Sequence, residues 1–204
     1  MPPRRGIIYL ALTAAMMFFI MLAFATNVFT VKNSADVGGV TRKSEAWADI
    51  WYMCSTGTYT GDKPVASCVD AADPHGTCTK QKDRVRATRA FYVITALIAL
   101  VNLVVGVLDF FGALSLPFGL KPQILLISIS GALIFFTLLS WAIAISWPRS
   151  KYCGASEPWS KADGFGFAAS PFMMLLTMLI AIAQLVLSIL LPGGASDAPE
   201  KEAA

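Results

Sequence analysis

The sequence contains few charged residues. Only 14% of its 204 residues are Asp, Glu, Lys or Arg, whereas soluble domains carry about 25%. Four stretches that together make up about half the chain have no charge at all: 6–31, 90–108, 122–148 and 164–196. This distribution excludes a water-soluble enzyme and a disordered protein. The small net charge of +3, with both signs interspersed, gives no basis for nucleic-acid binding.

The sequence also lacks the patterns of common catalytic and metal sites. Its single histidine, His75, cannot form a metal site alone, because such a site needs several suitably spaced ligands. The absence of Cys-x-x-Cys disfavours a membrane thiol oxidoreductase, and none of the asparagines begins an Asn-x-Ser/Thr sequon. We therefore expect a protein that is not an enzyme, with no catalytic residue, cofactor, metal or small-molecule substrate.

Four apolar segments are long enough to cross a bilayer, which takes about 20 residues in a helix. Hydrocarbon offers no partner for open backbone groups, so each segment must be helical. The first follows Arg4 and Arg5 as a signal peptide would, but its apolar run exceeds the 7–15 residues of a cleaved signal. We predict four retained helices at about 7–29, 91–109, 124–147 and 168–191.

The cysteines indicate the orientation. All of them lie in the first and third connections, which four spans place on one side of the membrane: Cys54, Cys68, Cys78 and Cys153. Disulfides persist in oxidising compartments. We therefore predict a plasma-membrane protein with cytoplasmic termini, a large outer loop at 30–89, a second outer loop at 148–167 and a disordered cytoplasmic tail at 193–204.

Several side chains have predicted places in the bundle. Asn102 and Gln184 lie at similar depths and are expected to hydrogen-bond between helices. The basic run Lys80–Arg89 is expected to extend the second helix, with its cations reaching the interface. An aromatic belt is expected at the outer helix ends, from Tyr92, Trp147 and Trp159. Close helix contacts are expected at two pairs of small residues, Ala11/Ala15 and Ser128/Ala132.

The large loop predicts a β-hairpin. Residues 46–60 are rich in aromatic and β-branched types that favour a strand, and 65–69 form a second, shorter strand. A three-residue turn between them places Cys54 opposite Cys68, at a distance that suits a disulfide. Four cysteines allow three pairings. We favour Cys54–Cys68, which leaves Cys78 to reach Cys153.

These residues resemble the claudin, peripheral-myelin-protein and amastin superfamily of small tetraspan membrane proteins. The resemblance rests on Trp51-Tyr52-Met53-Cys54, then Cys68, then Arg89-Ala90 at the start of the second helix. Within this group the chain is most similar to the amastins of trypanosomatid parasites. That similarity rests on Cys153, on Arg84-Val85-Arg86-Ala87, and on Asp163-Gly164-Phe165-Gly166-Phe167 opening the fourth helix.

The resemblance implies a mainly α, integral membrane fold. Residues 1–192 would form one domain, a left-handed bundle of four transmembrane helices under a small extracellular β-sheet braced by Cys54–Cys68. Trp51, Cys54, Cys68 and Arg89 are its motif residues. It implies a non-enzymatic surface protein with a structural, adhesive or host–parasite role through the first outer loop. The alternative is an accessory subunit or pore component in transport. Expected partners are the lipid bilayer and either further copies of the chain or another surface protein.

Overall fold

The computed structural model describes residues 3–37, 40–58, 65–72, 79–114, 121–149 and 158–190. Within these residues the backbone forms four long α-helices and a five-stranded β-sheet. The helices are α1 (Pro3–Ala25), α2 (Thr79–Phe110), α3 (Pro122–Ser146) and α4 (Ala169–Leu190). A short 3-10 helix, Trp159–Lys161, precedes the last strand.

Each helix contains a segment long and apolar enough to cross a bilayer: Gly6–Ala25, Lys82–Phe110, Pro122–Ser146 and Ala169–Leu190. Large apolar side chains such as Phe18, Leu97 and Phe135 remain exposed around the bundle. Helices that are apolar on every side are typical of membrane spans, where lipid covers the outer surface. The four predicted spans are confirmed, and the chain is a multi-pass membrane protein.

Neighbouring helices pack as a closed ring, in which α1 and α3 each contact both α2 and α4. Small and hydroxyl-bearing side chains lie inside this ring. Thr13, Ala99, Ser130 and Ala181 are all fully buried, one on each helix. Because lipid gives helices no hydrophobic reason to associate, such side chains stabilise the bundle by allowing close backbone approach.

The sheet is antiparallel, with the strand order β4-β3-β2-β1-β5. Strand β1 begins three residues after α1 ends, and β5 lies just before α4, so the sheet caps that end of the bundle. The pairing of β1 with β5 also joins the large loop to the segment preceding α4. The strands are β1 (Phe29–Val37), β2 (Val40–Ala48), β3 (Tyr52–Thr58), β4 (Val65–Asp70) and β5 (Phe165–Phe167).

Alternation along the strands gives the sheet two different faces. Phe29, Val31 and Ala48 point to the inner face and are buried in a core cluster over the end of the bundle. The ring of Phe29 meets the indole of Trp147 edge-on, with centroids 5.3 Å apart. The inner face is thus the part of the sheet that attaches it to the membrane helices.

The predicted β3–β4 hairpin is confirmed, with Cys54 directly opposite Cys68. The single strand predicted at 46–60 is wrong, because the chain breaks at 49–51 and returns as β3. Strand β1 was not predicted, and the first helix ends at Ala25 rather than near Phe29. The polar composition of β1 after Phe29 carries no strong strand signal.

The expectation that the run 163–167 opens the fourth helix is wrong, because these residues form a turn and β5. Gly164 adopts φ +72°, and a Cβ there would lie 1.9 Å from the Lys32 carbonyl oxygen. The Lys32 amide donates to the Gly164 carbonyl at 3.1 Å. Glycine is therefore required where this turn passes against β1.

The predicted aromatic belt is wrong for Tyr92 and Trp147, which are buried beneath the sheet. The predicted contacts of the small-residue pairs are also not formed as expected, because Ala11 and Ser128 are exposed. The predicted helical extension is confirmed, since α2 already begins at Thr79.

Candidate functional site

The Cys54–Cys68 disulfide joins two neighbouring strands of the sheet. The Cα atoms of this directly opposed pair are 4.1 Å apart, and 14 positions separate them in sequence. Closing a loop of this length stabilises a fold by about 3 kcal/mol in the chain-entropy account. Cys78 and Cys153 lie outside the described residues, so a bridge between them remains a prediction.

Arg89 ties α2 to the sheet. Its Nε donates to the Ile50 carbonyl at 2.6 Å, and its Nη2 donates to the Trp51 carbonyl at 2.8 Å and to Asp70 Oδ1 at 2.6 Å. Only 19% of the Arg89 side chain is exposed. One guanidinium thus holds both the β2–β3 connection and the end of β4 against the helix. We call Arg89, Ile50, Trp51 and Asp70 the Arg89 clamp.

The Trp51 indole lies between two helices at the edge of the clamp. The Arg89 guanidinium carbon sits 5.4 Å from its ring centroid, within the range of a cation–π contact. Its other neighbour is the Phe24 ring of α1, stacked at 6.3 Å. The residue is still 38% exposed. Trp51 therefore connects the β2–β3 turn to both α1 and α2.

An aspartate fixes the turn that presents these carbonyls. Asp49 Oδ1 accepts from the backbone amides of Trp51 and Tyr52, at 2.5 Å in each case. The Asp49 amide donates to the Tyr52 carbonyl at 2.9 Å. Aspartate side chains commonly stabilise turns in this way. The residues between β2 and β3 therefore form a hydrogen-bonded turn that directs the Ile50 and Trp51 carbonyls toward Arg89.

Asp70 provides the carboxylate of the clamp. Besides Arg89, it accepts from the Ala72 amide at 2.7 Å, just after β4 ends. The hydrogen bond from Arg89 lowers the pKa of Asp70 below its usual 3.8, and the Ala72 amide lowers it further. The Asp70 side chain is 56% exposed. Solvent therefore screens this ion pair, and the two carbonyl contacts of Arg89 stabilise the clamp more than the ion pair does.

A second polar group lies within the bundle. Tyr9 donates to Asn102 Oδ1 at 2.7 Å, and Asn102 Nδ2 donates to Gln184 Oε1 at 3.2 Å. Gln184 Nε2 in turn donates to the Thr13 hydroxyl at 2.6 Å. This network joins α1, α2 and α4, and it confirms the predicted contact between Asn102 and Gln184. Each such bond stabilises helix association by about 0.6–2 kcal/mol.

The outer face of the sheet carries a groove of about 490 Å³ across β1, β2 and β3. Six side chains on this face of the strands line it: Lys32, Ser34, Lys43, Glu45, Trp47 and Thr56. We call this set the outer groove. It lies on the face opposite Phe29 and Val31, because the alternation of β1 separates the two sets.

The Arg89 clamp and the outer groove differ in what their side chains can do. The clamp uses its polar groups internally, which suits bracing of the fold. The outer groove combines an indole with charged side chains at the protein surface, which suits binding. Among the described residues, no group of three or more His, Cys, Asp and Glu side chains is placed to hold a metal ion.

Sequence reasoning identified Trp51, Cys54, Cys68 and Arg89 as motif residues. The structure places them in the β2–β3 connection, on β3, on β4 and on α2, respectively. Sequence reasoning missed the partners of Arg89, because two of them are backbone carbonyls that any residue supplies. Tyr9 was also missed, although a tyrosine hydroxyl within an apolar span signals a need for an acceptor.

Comparison with known proteins identifies the family. A family model described as Amastin surface glycoprotein matches residues 13–188. No curated protein matches the chain. The matched range contains the disulfide, the Arg89 clamp, the outer groove and all but the first member of the bundle network. The chain belongs to the amastin surface glycoprotein family.

Proposed function

We propose that this protein is a non-enzymatic component of the plasma membrane that makes structural or adhesive contacts through its first outer loop. The observation that carries the proposal is the two-sided sheet. The inner face is buried on the bundle, whereas Lys32, Ser34 and Lys43 on the other face are exposed. A surface that the fold does not need for its own packing is available to a partner.

Rigid attachment of the sheet supports this role. The Arg89 clamp and the β1–β5 pairing hold the sheet to the helices at separate points, and the disulfide joins two strands within the sheet. Binding surfaces on rigid supports lose less conformational entropy when a partner binds. A braced sheet is therefore suited to contact with another surface, including that of a host cell or of a second copy.

The proposed orientation places the sheet outside the cell and both termini in the cytoplasm. The disulfide lies at the sheet end of the bundle, and disulfides persist in oxidising compartments. The start of α1 and the end of α4 lie at the other end. An epitope tag at either terminus should bind antibody only after cells are permeabilised. Binding to intact cells would overturn this orientation.

The proposal is tested by photo-crosslinking from defined positions in the full chain on intact cells. A photoreactive residue at Ser34, on the exposed face, should capture a protein of the contacted surface. The matched position Phe135, on the lipid-facing side of α3, should capture lipid or another copy of the chain. Capture of a transport protein from Phe135, with nothing captured from Ser34, would contradict the adhesive role and favour an accessory subunit.

The transport alternative would need outer-loop carboxylates such as Asp49, Asp62 and Asp70 to line a pore, and the contacts of two of them argue against that role. Asp49 holds the β2–β3 turn, and Asp70 pairs with Arg89. Asp62, the third candidate, lies outside the described residues. Reversing the charge of Asp49 or Asp70 would therefore disturb the fold whether or not ions pass, so conductance changes in these variants would not identify a pore.

A further inference from the structure

Two serine hydroxyls inside the bundle have no hydrogen-bond partner among the described residues. They belong to Ser130 on α3 and Ser188 on α4, and both side chains are fully buried. A serine within a helix commonly donates to the carbonyl of the preceding turn, as Ser140 on α3 does to the Phe136 carbonyl at 2.7 Å. Because a buried hydroxyl without an acceptor is unfavourable, an acceptor is expected where Ser130 and Ser188 lie.

Both serines lie beside the hydroxyl of Tyr9 on α1. This hydroxyl interacts with the side chains of Asn102, Ser130 and Ser188. It donates its hydrogen to Asn102 Oδ1 at 2.7 Å, so it can offer the serines only its oxygen. Neither serine has the geometry of a hydrogen bond to that oxygen. Three hydroxyls from three different helices thus converge on one place in the bundle.

We propose that a water molecule is bound at this place, between the hydroxyls of Tyr9, Ser130 and Ser188. A buried water typically makes about three hydrogen bonds to polar groups that otherwise lack partners. This water would accept from both serines and donate to the Tyr9 oxygen. The polar network that joins α1, α2 and α4 would then include α3 as well.

The groups around this place select water over an ion. An anion buried in an apolar interior needs a cation beside it, and the stretches that contain these side chains have no charged residue: 6–31, 90–108, 122–148 and 164–196. A cation would contact the hydroxyl oxygens and leave both serine hydrogens without an acceptor. Water is uncharged and supplies both an acceptor and two donors.

The water site lies near the end of the bundle opposite the sheet. Tyr9 is six residues after Pro3, the first residue of α1, which is about 9 Å along the helix axis. Ser188 is two residues before Leu190, the last residue of α4. Water can therefore enter from that end without crossing the full hydrocarbon layer. The inference goes beyond the proposed function and does not depend on what the sheet contacts.

The test is radiolytic hydroxyl-radical labelling of the full chain in nanodiscs, read by mass spectrometry. X-rays convert a bound water into a hydroxyl radical, which oxidises the adjacent side chain even where bulk solvent does not reach. The matched control is Tyr92, which is fully buried like Tyr9 but has its hydroxyl 3.0 Å from that of Ser170. Tyr9 should be oxidised and Tyr92 should not. Equal absence of oxidation at both tyrosines would overturn the inference.

Replacing both serines tests whether they hold the water. In the double variant Ser130→Ala and Ser188→Ala, oxidation of Tyr9 should be lost and the thermal unfolding temperature should fall. Ser140→Ala removes a hydroxyl that has its own partners and should leave the oxidation of Tyr9 unchanged.

Two results of the double variant would contradict the inference. Undiminished oxidation of Tyr9 would show that the radicals arise elsewhere. A higher unfolding temperature would show that the two hydroxyls were unpaired in a dry interior, because removing an unpaired buried hydroxyl stabilises a fold. If the double variant does not fold, the comparison of Tyr9 with Tyr92 in the wild type still decides.

Discussion

Replacing Arg89 tests how much the attachment of the sheet to the bundle depends on one side chain. In Arg89→Ala the Ile50 carbonyl loses its 2.6 Å donor, and Ile50 is fully buried. The Trp51 carbonyl retains the Ala71 amide as a donor, at 2.9 Å. The substitution therefore leaves one buried acceptor without its partner and removes the cation from the face of the indole.

The magnitude follows from these contacts. A hydrogen bond from a charged donor contributes about 1.5–3 kcal/mol, and the exposed Asp70 pair contributes about 0.2–1 kcal/mol. Together they give about 2–4 kcal/mol of local stability. Because about 1.4 kcal/mol is a factor of ten, amides of β3 and β4 should exchange with deuterium about 30- to 1,000-fold faster. Arg89→Lys should fall between this variant and the wild type, since lysine lacks the planar fork.

Arg86→Ala is the matched control, because Arg86 lies one helical turn earlier on α2 and is exposed. It should leave exchange in β3 and β4 within about threefold of the wild type, as surface substitutions usually do. The assay is hydrogen–deuterium exchange of the full chain in nanodiscs, read from peptides covering 52–58 and 65–70. If Arg89→Ala and Arg86→Ala exchanged at the same rate, the clamp would not hold the sheet and the reasoning would be refuted.

Three further results are expected. Gly164→Ala should abolish surface delivery, because its Cβ would meet the Lys32 carbonyl at 1.9 Å and φ is +72°, whereas Gly57→Ala has open space and should be delivered normally; equal delivery on flow cytometry would contradict this. Because the pKa of Asp70 is lowered in the folded state, its contribution is complete above pH about 4 and is lost as the pH falls through the folded value. The thermal unfolding temperature of the wild type should therefore fall in acid, and that of Asp70→Asn should fall less. Identical dependence on pH in the two proteins would argue against the Asp70–Arg89 pair. Since the sequence has no Asn-x-Ser/Thr sequon, peptide N-glycosidase should leave electrophoretic mobility unchanged, and a shift would show N-linked sugar.

The membrane part of the fold was predictable because its cause is local. A bilayer requires about 20 apolar residues per span, and uncharged stretches of that length are visible in the sequence. The contact between Asn102 and Gln184 was also predictable, because polar side chains at matching depth in hydrocarbon have few alternative partners. These inferences needed only composition and position along the chain.

The register of β3 and β4 could be predicted because a strand has a period of two and a turn fixes the offset. The existence and pairing of strands β1 and β5 could not be predicted. Residues 30–37 are mostly polar, and β5 has only three residues. Their pairing depends on the distant turn at Gly164, which the spacing of residues does not reveal.

The position at the lipid interface predicted for Trp147 is wrong for a related reason. An aromatic residue at a span end usually lies at the lipid interface. In this chain the sheet covers that end of the bundle, and Phe29 packs against the indole. A rule about lipid contact fails where another element of the protein occupies the interface.

The division between the clamp and the outer groove suggests which parts of the loop can change. Arg89 recognises carbonyls at 50 and 51, so the identity of those side chains matters less than the path of the backbone. That path is set by Asp49, whose carboxylate holds the turn by accepting from two backbone amides. Trp47 lies two residues earlier, on the face directed away from the bundle. Substitutions there can alter the exposed face of the sheet while Asp49 and Arg89 keep the sheet in place.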